Sequence, residues 1–177
     1  MRHILVLLLL LATQVASSRG LYSTTDEFLA QTFAADIPAA ATVWLTGEKG
    51  KAAKAILGHK PKALRSRYWQ QDNRSAWVLA EIGKEQPITV GIVISDTQIE
   101  SIQILEYRED RGEEVRFSSF TQQFPGLSLS NNKQLSGSID NITGATLSVW
   151  AVSKLARLAL YLHGQVNEQP TQQSQTP

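Results

Sequence analysis

The chain has 177 residues, of which 42% are hydrophobic and 19% charged, a composition typical of a globular protein with one buried core. Lys and Arg total 17 against 16 Asp and Glu, and this near-neutral balance argues against a nucleic-acid-binding protein. The sequence has no cysteine, which excludes disulfides, thiolate nucleophiles, c-type haem attachment and cysteine-ligated metal centres. Any redox chemistry therefore needs a bound cofactor.

The N-terminus has the pattern of a signal peptide. Arg2 precedes an unbroken apolar run over residues 4–12, which is shorter than the ~20 residues that cross a bilayer. Small residues at Ala16, Ser17 and Ser18 predict cleavage after Ser17, so that residues 1–17 form the leader. An uncleaved membrane anchor is the alternative. Export of a chain without cysteine favours a bacterial periplasm.

The next residues predict two short helices and a sheet. Thr24 and Glu27 have the spacing of a capping box, and the helix that follows should end near residues 36–38. A second, lysine-rich helix is predicted over residues 49–62. Strand patterns follow at residues 67–70, 76–82, 88–95 and 99–107, separated by short turns. Short connections favour an antiparallel meander.

A long helix is predicted from residue 144 to about residue 162. One of its faces is apolar and should pack on the sheet. This face comprises Val152, Leu155, Ala156, Ala159 and Leu162. Residues 165–177 are rich in Gln, Thr and Pro and predict a disordered tail. The sequence thus predicts an α+β fold in a single domain over residues 21–164, with short N-terminal helices and a long C-terminal helix on an antiparallel sheet.

Charge is unevenly distributed along the chain. Residues 48–74 contain eight Lys or Arg and two acids, a balance of +6, whereas residues 75–115 contain nine acids and three bases, a balance of −6. Solvated surfaces explain both segments. The alternative is a docking surface for a redox partner of opposite charge. His59 and His163 lack metal-ligand spacing and are expected at exposed structural positions, and no metal site is predicted.

The start of the long helix is a candidate anion site. Thr143 can serve as the N-cap, which places Thr146 at about the third helical position, where free N–H groups stabilise a phosphate. Gly144 and Ala145 leave the backbone open to close approach. The alternative is a capped helix start that binds nothing.

Asp140, Thr143, Gly144, Ala145 and Thr146 form a pattern that resembles the flavin-attachment motif of the bacterial FMN-binding domain family. This family includes the C subunit of the sodium-pumping NADH:quinone reductase and the G subunit of the Rnf complex. Residues 83–89 and 106–115 resemble other segments of the family, as do Phe120, Phe124 and Gly126. The resemblance is clearest over residues 76–162.

The resemblance implies that a flavin transferase esterifies the phosphate of FMN to the hydroxyl of Thr146. Asp140 and Thr143 are then needed to present that hydroxyl or to hold the phosphate, and Gly144, Ala145 and Ser148 belong to the same cofactor-binding segment. Arg108 and Arg111, in the turn that contains Gly112, are implied to lie near the isoalloxazine ring, where either could stabilise an anionic reduced flavin. The alternative is that these arginines only form ion pairs on the surface. Trp150 is expected in the core rather than against the cofactor.

These inferences predict an exported flavoprotein that relays electrons between redox partner proteins, which could be membrane-bound, through FMN linked covalently to Thr146. Association of the protein itself with a membrane is not required. The alternatives are a module that binds FMN noncovalently or has lost it, and an enzyme that reduces a small substrate at an exposed flavin.

Overall fold

A computed structural model describes residues 20–34 and 36–167. The predicted signal peptide and residues 168–177 of the predicted tail lie outside these ranges. In chain order the elements are α1 (Thr25–Phe33), β1 (Ala41–Trp44), α2 (Gly47–Leu57), β2 (Arg65–Gln71), β3 (Arg74–Ile82), β4 (Pro87–Ser95), β5 (Gln98–Tyr107), a 3-10 turn (Glu113–Arg116), α3 (Ser118–Thr121) and α4 (Thr146–Asn167).

The five strands form one sheet in the order β1-β2-β3-β4-β5, and every neighbouring pair is antiparallel. The predicted α+β meander is therefore confirmed. Asp72 and Asp96, in the turns that follow β2 and β4, have φ values of 52° and 55°. Asp tolerates this left-handed conformation, which suits the tight turns that join antiparallel strands.

Helices cover both faces of the sheet. The predicted apolar face of α4 is buried against β3, β4 and β5, and α2 packs beside it. On the opposite face, Phe28 and Leu29 of α1 pack with Trp69 and Val93. Gly91 of β4 has no side chain because a Cβ there would lie 2.7 Å from the Phe28 ring.

Several predicted boundaries are wrong. Strand β1 was not predicted, and α2 ends at Leu57 because Gly58 has a φ of 85° and its N–H bonds the Lys54 carbonyl. Helix α4 begins at Thr146 rather than residue 144 and runs to Asn167, past the predicted start of the tail. His163 is buried rather than exposed.

Across residues 20–34 and 36–167, no helix has both the length and the hydropathy that a membrane span requires.

Candidate functional site

A cavity of about 430 Å³ lies beside the first turn of α4. Three segments form its wall: the turn between β3 and β4, the loop after β5 and the start of α4. The lining residues are Lys84, Glu85, Glu109, Asp110, Arg111, Gly144, Ala145, Thr146, Leu147 and Ser148. The volume falls within the range of about 300–1,000 Å³ that is usual for small-molecule sites.

A tight turn determines where α4 begins. The Ala145 N–H donates to the Ile142 carbonyl at 2.9 Å, and Gly144 has a φ of 85°. This conformation suits the third position of a type II turn and is not helical. The helix therefore starts at Thr146, and the prediction that Thr143 is its N-cap is wrong.

The first turn of α4 leaves backbone donors free. Val149 is the first residue whose N–H bonds a carbonyl four residues earlier, that of Ala145, at 3.0 Å. Within the described ranges, the N–H groups of Thr146, Leu147 and Ser148 make no hydrogen bond. Such donors, together with the positive end of the helix dipole, favour an anion at this end of the cavity.

The hydroxyl of Thr146 is held by a side chain that the sequence did not single out. The Asn141 amide Nδ2 donates to Thr146 Oγ1 at 2.9 Å. Thr146 is half-buried and Asn141 is exposed. Because Oγ1 accepts this bond, its own proton stays available for transfer. Asn141 lies between Asp140 and Thr143 but is not among the residues that match the flavin-attachment motif, so no signal in the sequence distinguishes it.

Glu109 joins two walls of the cavity. Its Oε1 accepts hydrogen bonds from the N–H groups of Lys84, Glu85 and Gln86 at 2.5, 2.7 and 3.0 Å. Burial alone would raise the pKa of the Glu109 carboxyl, but the three backbone donors outweigh it and hold the pKa below its ordinary value. The carboxylate thus stays charged and clamps the turn after β3 to the loop after β5.

A buried polar cluster supports the cavity from the core side. The Tyr107 hydroxyl donates to the Arg111 carbonyl at 2.5 Å and accepts a hydrogen bond from Ser148 Oγ at 3.0 Å. Burial raises the pKa of Tyr107, so its hydroxyl remains a donor at neutral pH. Gly112 has a φ of 87°, and a Cβ there would lie 2.7 Å from the Tyr107 hydroxyl and 3.0 Å from the Ala145 Cβ. Contact between Gly112 and Ala145 therefore seats the loop on α4.

The structure brings some of the predicted site residues together and leaves others apart. Gly144, Ala145, Thr146, Ser148 and Arg111 line the cavity, and Gly112 supports it. Three others do not line it. Arg108 pairs with Glu106 at 2.5 Å, Thr143 is exposed, and Asp140 is exposed with its N–H bonded to Gln123 Oε1 at 2.7 Å.

The side chains of Arg111, in the cavity wall, and of Trp150, in α4, are exposed. Arg111 makes no ion pair with any other described residue. The Trp150 side chain, one helical turn after Thr146, is 57% exposed, so the expectation that it packs in the core is wrong. Residues 20–34 and 36–167 contain no group of acidic and histidine side chains that could hold a metal ion.

Comparison with protein families identifies residues 83–161 as an FMN-binding domain. No individually curated protein matches the chain. The matched segment begins at the turn between β3 and β4, ends within α4 and contains every residue that lines the cavity. Residues 83–161 thus match the FMN-binding domain family, and this match supports a flavin-binding protein.

Proposed function

We propose that this protein is an exported electron-transfer flavoprotein that carries FMN as a phosphoester of Thr146 and relays electrons between redox partner proteins. The observation that carries the proposal is the position of the Thr146 hydroxyl, in the cavity wall and at the first residue of α4. The FMN-binding domain includes this residue. FMN supplies the reversible electron chemistry that the side chains of a chain without cysteine lack.

The residues around Thr146 fit a phosphodiester. The unpaired N–H groups at the start of α4 are donors for its negatively charged oxygens, and the helix dipole favours its charge. Gly144 and Ala145 bring no large side chain into this part of the cavity. Three acidic residues line the cavity, Glu85, Glu109 and Asp110. The charge of Glu109 is partly offset by its three backbone donors.

Attachment requires a phosphoryl donor and an enzyme that uses it. In the proposed step, Thr146 Oγ1 attacks the flavin-side phosphorus of a flavin dinucleotide bound to a flavin transferase. The Oγ1–P bond forms, the P–O–P bond breaks, and a nucleoside monophosphate leaves. The hydroxyl proton passes to a base of the transferase. Asn141 holds the rotamer of Thr146 through its bond to Oγ1, so its role is positioning.

Arg111 is the residue suited to stabilise an anionic reduced flavin. It lines the cavity and has no acidic partner among the described residues, whereas the other lining cation, Lys84, lies 3.3 Å from Glu85. Arg108 is less suited because it pairs with Glu106 outside the lining. A cation next to the ring favours the reduced anion over the neutral oxidised form.

Export is proposed from the leader pattern of residues 1–17. A covalent link suits an exported carrier, because a protein that loses a dissociable cofactor in a dilute compartment cannot recover it. The flavin transferase and the redox partners are the interaction partners that this function requires.

The test of attachment is Thr146→Val, produced in an exporting host together with a flavin transferase. Valine keeps the β-branched shape and removes only the hydroxyl, so we expect a folded protein without covalent flavin. Fluorescence of the flavin in a denaturing gel and intact mass measure the link. Leu147→Ala is the matched control and should keep its flavin, and Thr146→Ser should be labelled in part.

Two outcomes would contradict the proposed attachment. Flavin still bound to the denatured Thr146→Val protein would move the link to another residue. If the wild-type protein acquires no flavin in the same host, residues 142–146 form a turn that starts the helix and do not attach a cofactor. The electron-relay function has its own test. If the flavin-loaded protein rapidly reduces small acceptors but exchanges no electrons with redox proteins, it is a reductase and not an electron carrier.

A further inference from the structure

A second cavity, of about 390 Å³, lies where β2 separates from β3. It shares no lining residue with the cavity beside Thr146. The two cavities use different parts of the connection after β3: Ile82 and Pro87, which flank the turn, line the second cavity, whereas Lys84 and Glu85 within the turn line the first. The second cavity is therefore separate from the cavity beside Thr146.

The strand register explains why the sheet opens there. β2 pairs with β3 only through residues 68–71, while residues 65–68 pair with β1. The Leu45 N–H also bonds the Leu64 carbonyl at 2.8 Å, so the start of β2 follows β1 away from β3. Residues 78–82 of β3 pair with β4 alone. The gap between these strand segments exposes the interior of the domain.

The floor of the cavity is apolar. Five leucines form it, and each is less than 9% exposed. Four belong to α2, β3 and α4, and the fifth directly follows β1. These are Leu45, Leu57, Leu79, Leu155 and Leu158. Such a surface favours a hydrocarbon or aromatic group, because transfer of apolar area out of water is favourable.

The rim carries positive charge that the protein does not neutralise. Lys62, Arg65 and Arg67 line the cavity and are exposed, and none forms an ion pair with another described residue. Arg65 lies over the Trp44 ring with its guanidinium carbon 6.0 Å from the ring centroid. The rim is thus free to bind an anion.

The one lining acid is already bound. Glu81 is 8% exposed, and its Oε1 lies 2.9 Å from His59 Nε2 and accepts the Ile82 N–H at 3.1 Å. A hydrogen bond to the Lys60 carbonyl and then the contact with Glu81 raise the pKa of His59. Glu81 Oε1 thus bonds His59 and the Ile82 N–H, and Glu81 forms no ion pair with a rim cation.

From this arrangement we infer that the second cavity is a binding site for a small amphiphilic anion, a carboxylate with an apolar body. The apolar body lies on the leucine floor, and the carboxylate bonds the rim cations Lys62, Arg65 and Arg67. Guanidinium groups bind carboxylates through charge-assisted and often bidentate hydrogen bonds. The inference goes beyond flavin binding and does not depend on it.

The test is calorimetric titration of the full-length protein with dodecanoate below its micellar concentration. We expect saturable binding of one dodecanoate per chain. Dodecyltrimethylammonium, with the same tail and a cationic head, should not bind. Arg67→Gln should weaken dodecanoate binding about tenfold or more, since one hydrogen bond to a charged group is lost.

Two variants separate the cavity from general surface charge. Ala63→Trp places an indole at the exposed rim and should abolish binding without disturbing the core. Lys54→Gln removes an exposed charge from the same basic segment but not from the lining, and it should leave the affinity unchanged. Thermal unfolding checks that both variants remain folded.

Four results would each overturn the inference. Two concern the wild-type chain: no saturable binding of dodecanoate, or equal affinity for the cationic amphiphile. The other two concern the variants: equal weakening by Arg67→Gln and Lys54→Gln, or unchanged binding by a folded Ala63→Trp protein. None of these results bears on the flavin site, because the two cavities have no lining residue in common.

Discussion

Two glycines near Thr146 have nearly the same backbone conformation in different surroundings. Gly112 has a φ of 87° and Gly144 a φ of 85°. A Cβ on Gly144 would meet no atom within 4 Å, whereas a Cβ on Gly112 would lie 2.7 Å from the Tyr107 hydroxyl. The pair therefore separates the cost of the backbone conformation from the cost of the packed contact.

We expect Gly144→Ala to lower the free energy of unfolding by about 1 kcal/mol, the usual cost of a left-handed conformation for alanine. Gly112→Ala should lower it by about 3 kcal/mol, because overpacking adds to the same backbone cost. Urea unfolding of the two variants measures the difference. Equal losses would show that the loop after β5 moves away from α4 without cost.

Asn141 allows a prediction about the rate of flavin attachment. Asn141→Ala removes the donor to Thr146 Oγ1. One neutral hydrogen bond is worth about 1 kcal/mol, so the transferase reaction should slow about fivefold while the protein keeps its stability. The time course of flavin incorporation measures the rate. Asn131→Ala, at another exposed asparagine, is the control, and equal rates in the two variants would remove Asn141 from the site.

At the scale of elements, two helices begin in different ways. Helix α1 has a complete capping box, in which Thr24 Oγ1 accepts the Glu27 N–H at 3.2 Å and the Glu27 carboxylate accepts the Thr24 N–H at 2.7 Å. Helix α4 instead follows the turn closed by Ala145 and Ile142, without a side-chain contribution from Thr143.

This contrast predicts opposite outcomes for two threonine substitutions. Thr24→Ala should destabilise the protein by about 1 kcal/mol through loss of the cap. Thr143→Ala should change stability by less than about 0.5 kcal/mol, as expected for an exposed residue without a structural contact. The midpoints of chemical unfolding compare the two. If Thr143→Ala loses as much stability as Thr24→Ala, Thr143 does cap α4 and this prediction is wrong.

At the scale of the whole molecule, a buried histidine ties the end of α4 to the sheet. His163 Nδ1 accepts a hydrogen bond from the Ser75 hydroxyl at 2.7 Å, and its Nε2 donates to the Asp96 carbonyl at 2.6 Å. The Trp77 indole donates to Ser75 Oγ at 2.7 Å. The neutral imidazole with its proton on Nε2 satisfies the bonds to Ser75 and Asp96, whereas a proton on Nδ1 would face the Ser75 donor. Asn167 Nδ2 also lies 2.8 Å from Nε2.

The network predicts how stability depends on pH. Burial lowers the pKa of His163, although the Asp96 carbonyl opposes the shift. Below its ordinary pKa of about 6.5 the unfolded chain takes up a proton that the folded protein resists, so the free energy of unfolding should fall between about pH 7 and pH 5. His163→Gln should flatten this fall in urea unfolding measured across that range.

His59 provides the control for the pH dependence because its pKa is raised. Its stabilising contribution is present below the unfolded pKa and is lost as the pH rises, which is the opposite sign. His59→Gln should therefore retain the acid-side loss of stability. If the free energy of unfolding depends on pH in the same way in wild type and His163→Gln, groups other than His163 cause the loss of stability at acidic pH.

The sequence by itself determined the features that depend on near neighbours. The capping box at Thr24, the apolar stripe of α4 and the short turns between strands all follow from spacings of a few residues. These local patterns sufficed for the α+β meander. The motif around Thr146 likewise identified the family, which the match over residues 83–161 confirms.

Only the tertiary structure decided the contacts between distant residues. Strand β1 has four residues and a pattern too short to predict, and it is a strand because it pairs with β2. The bonds of Glu109 span 23 to 25 residues, and the cavity between β2 and β3 follows from a register that ends at Tyr68. Such contacts depend on how the packed elements meet. Local periodicity reports which face of an element is buried, but it carries no information about the partner that covers it.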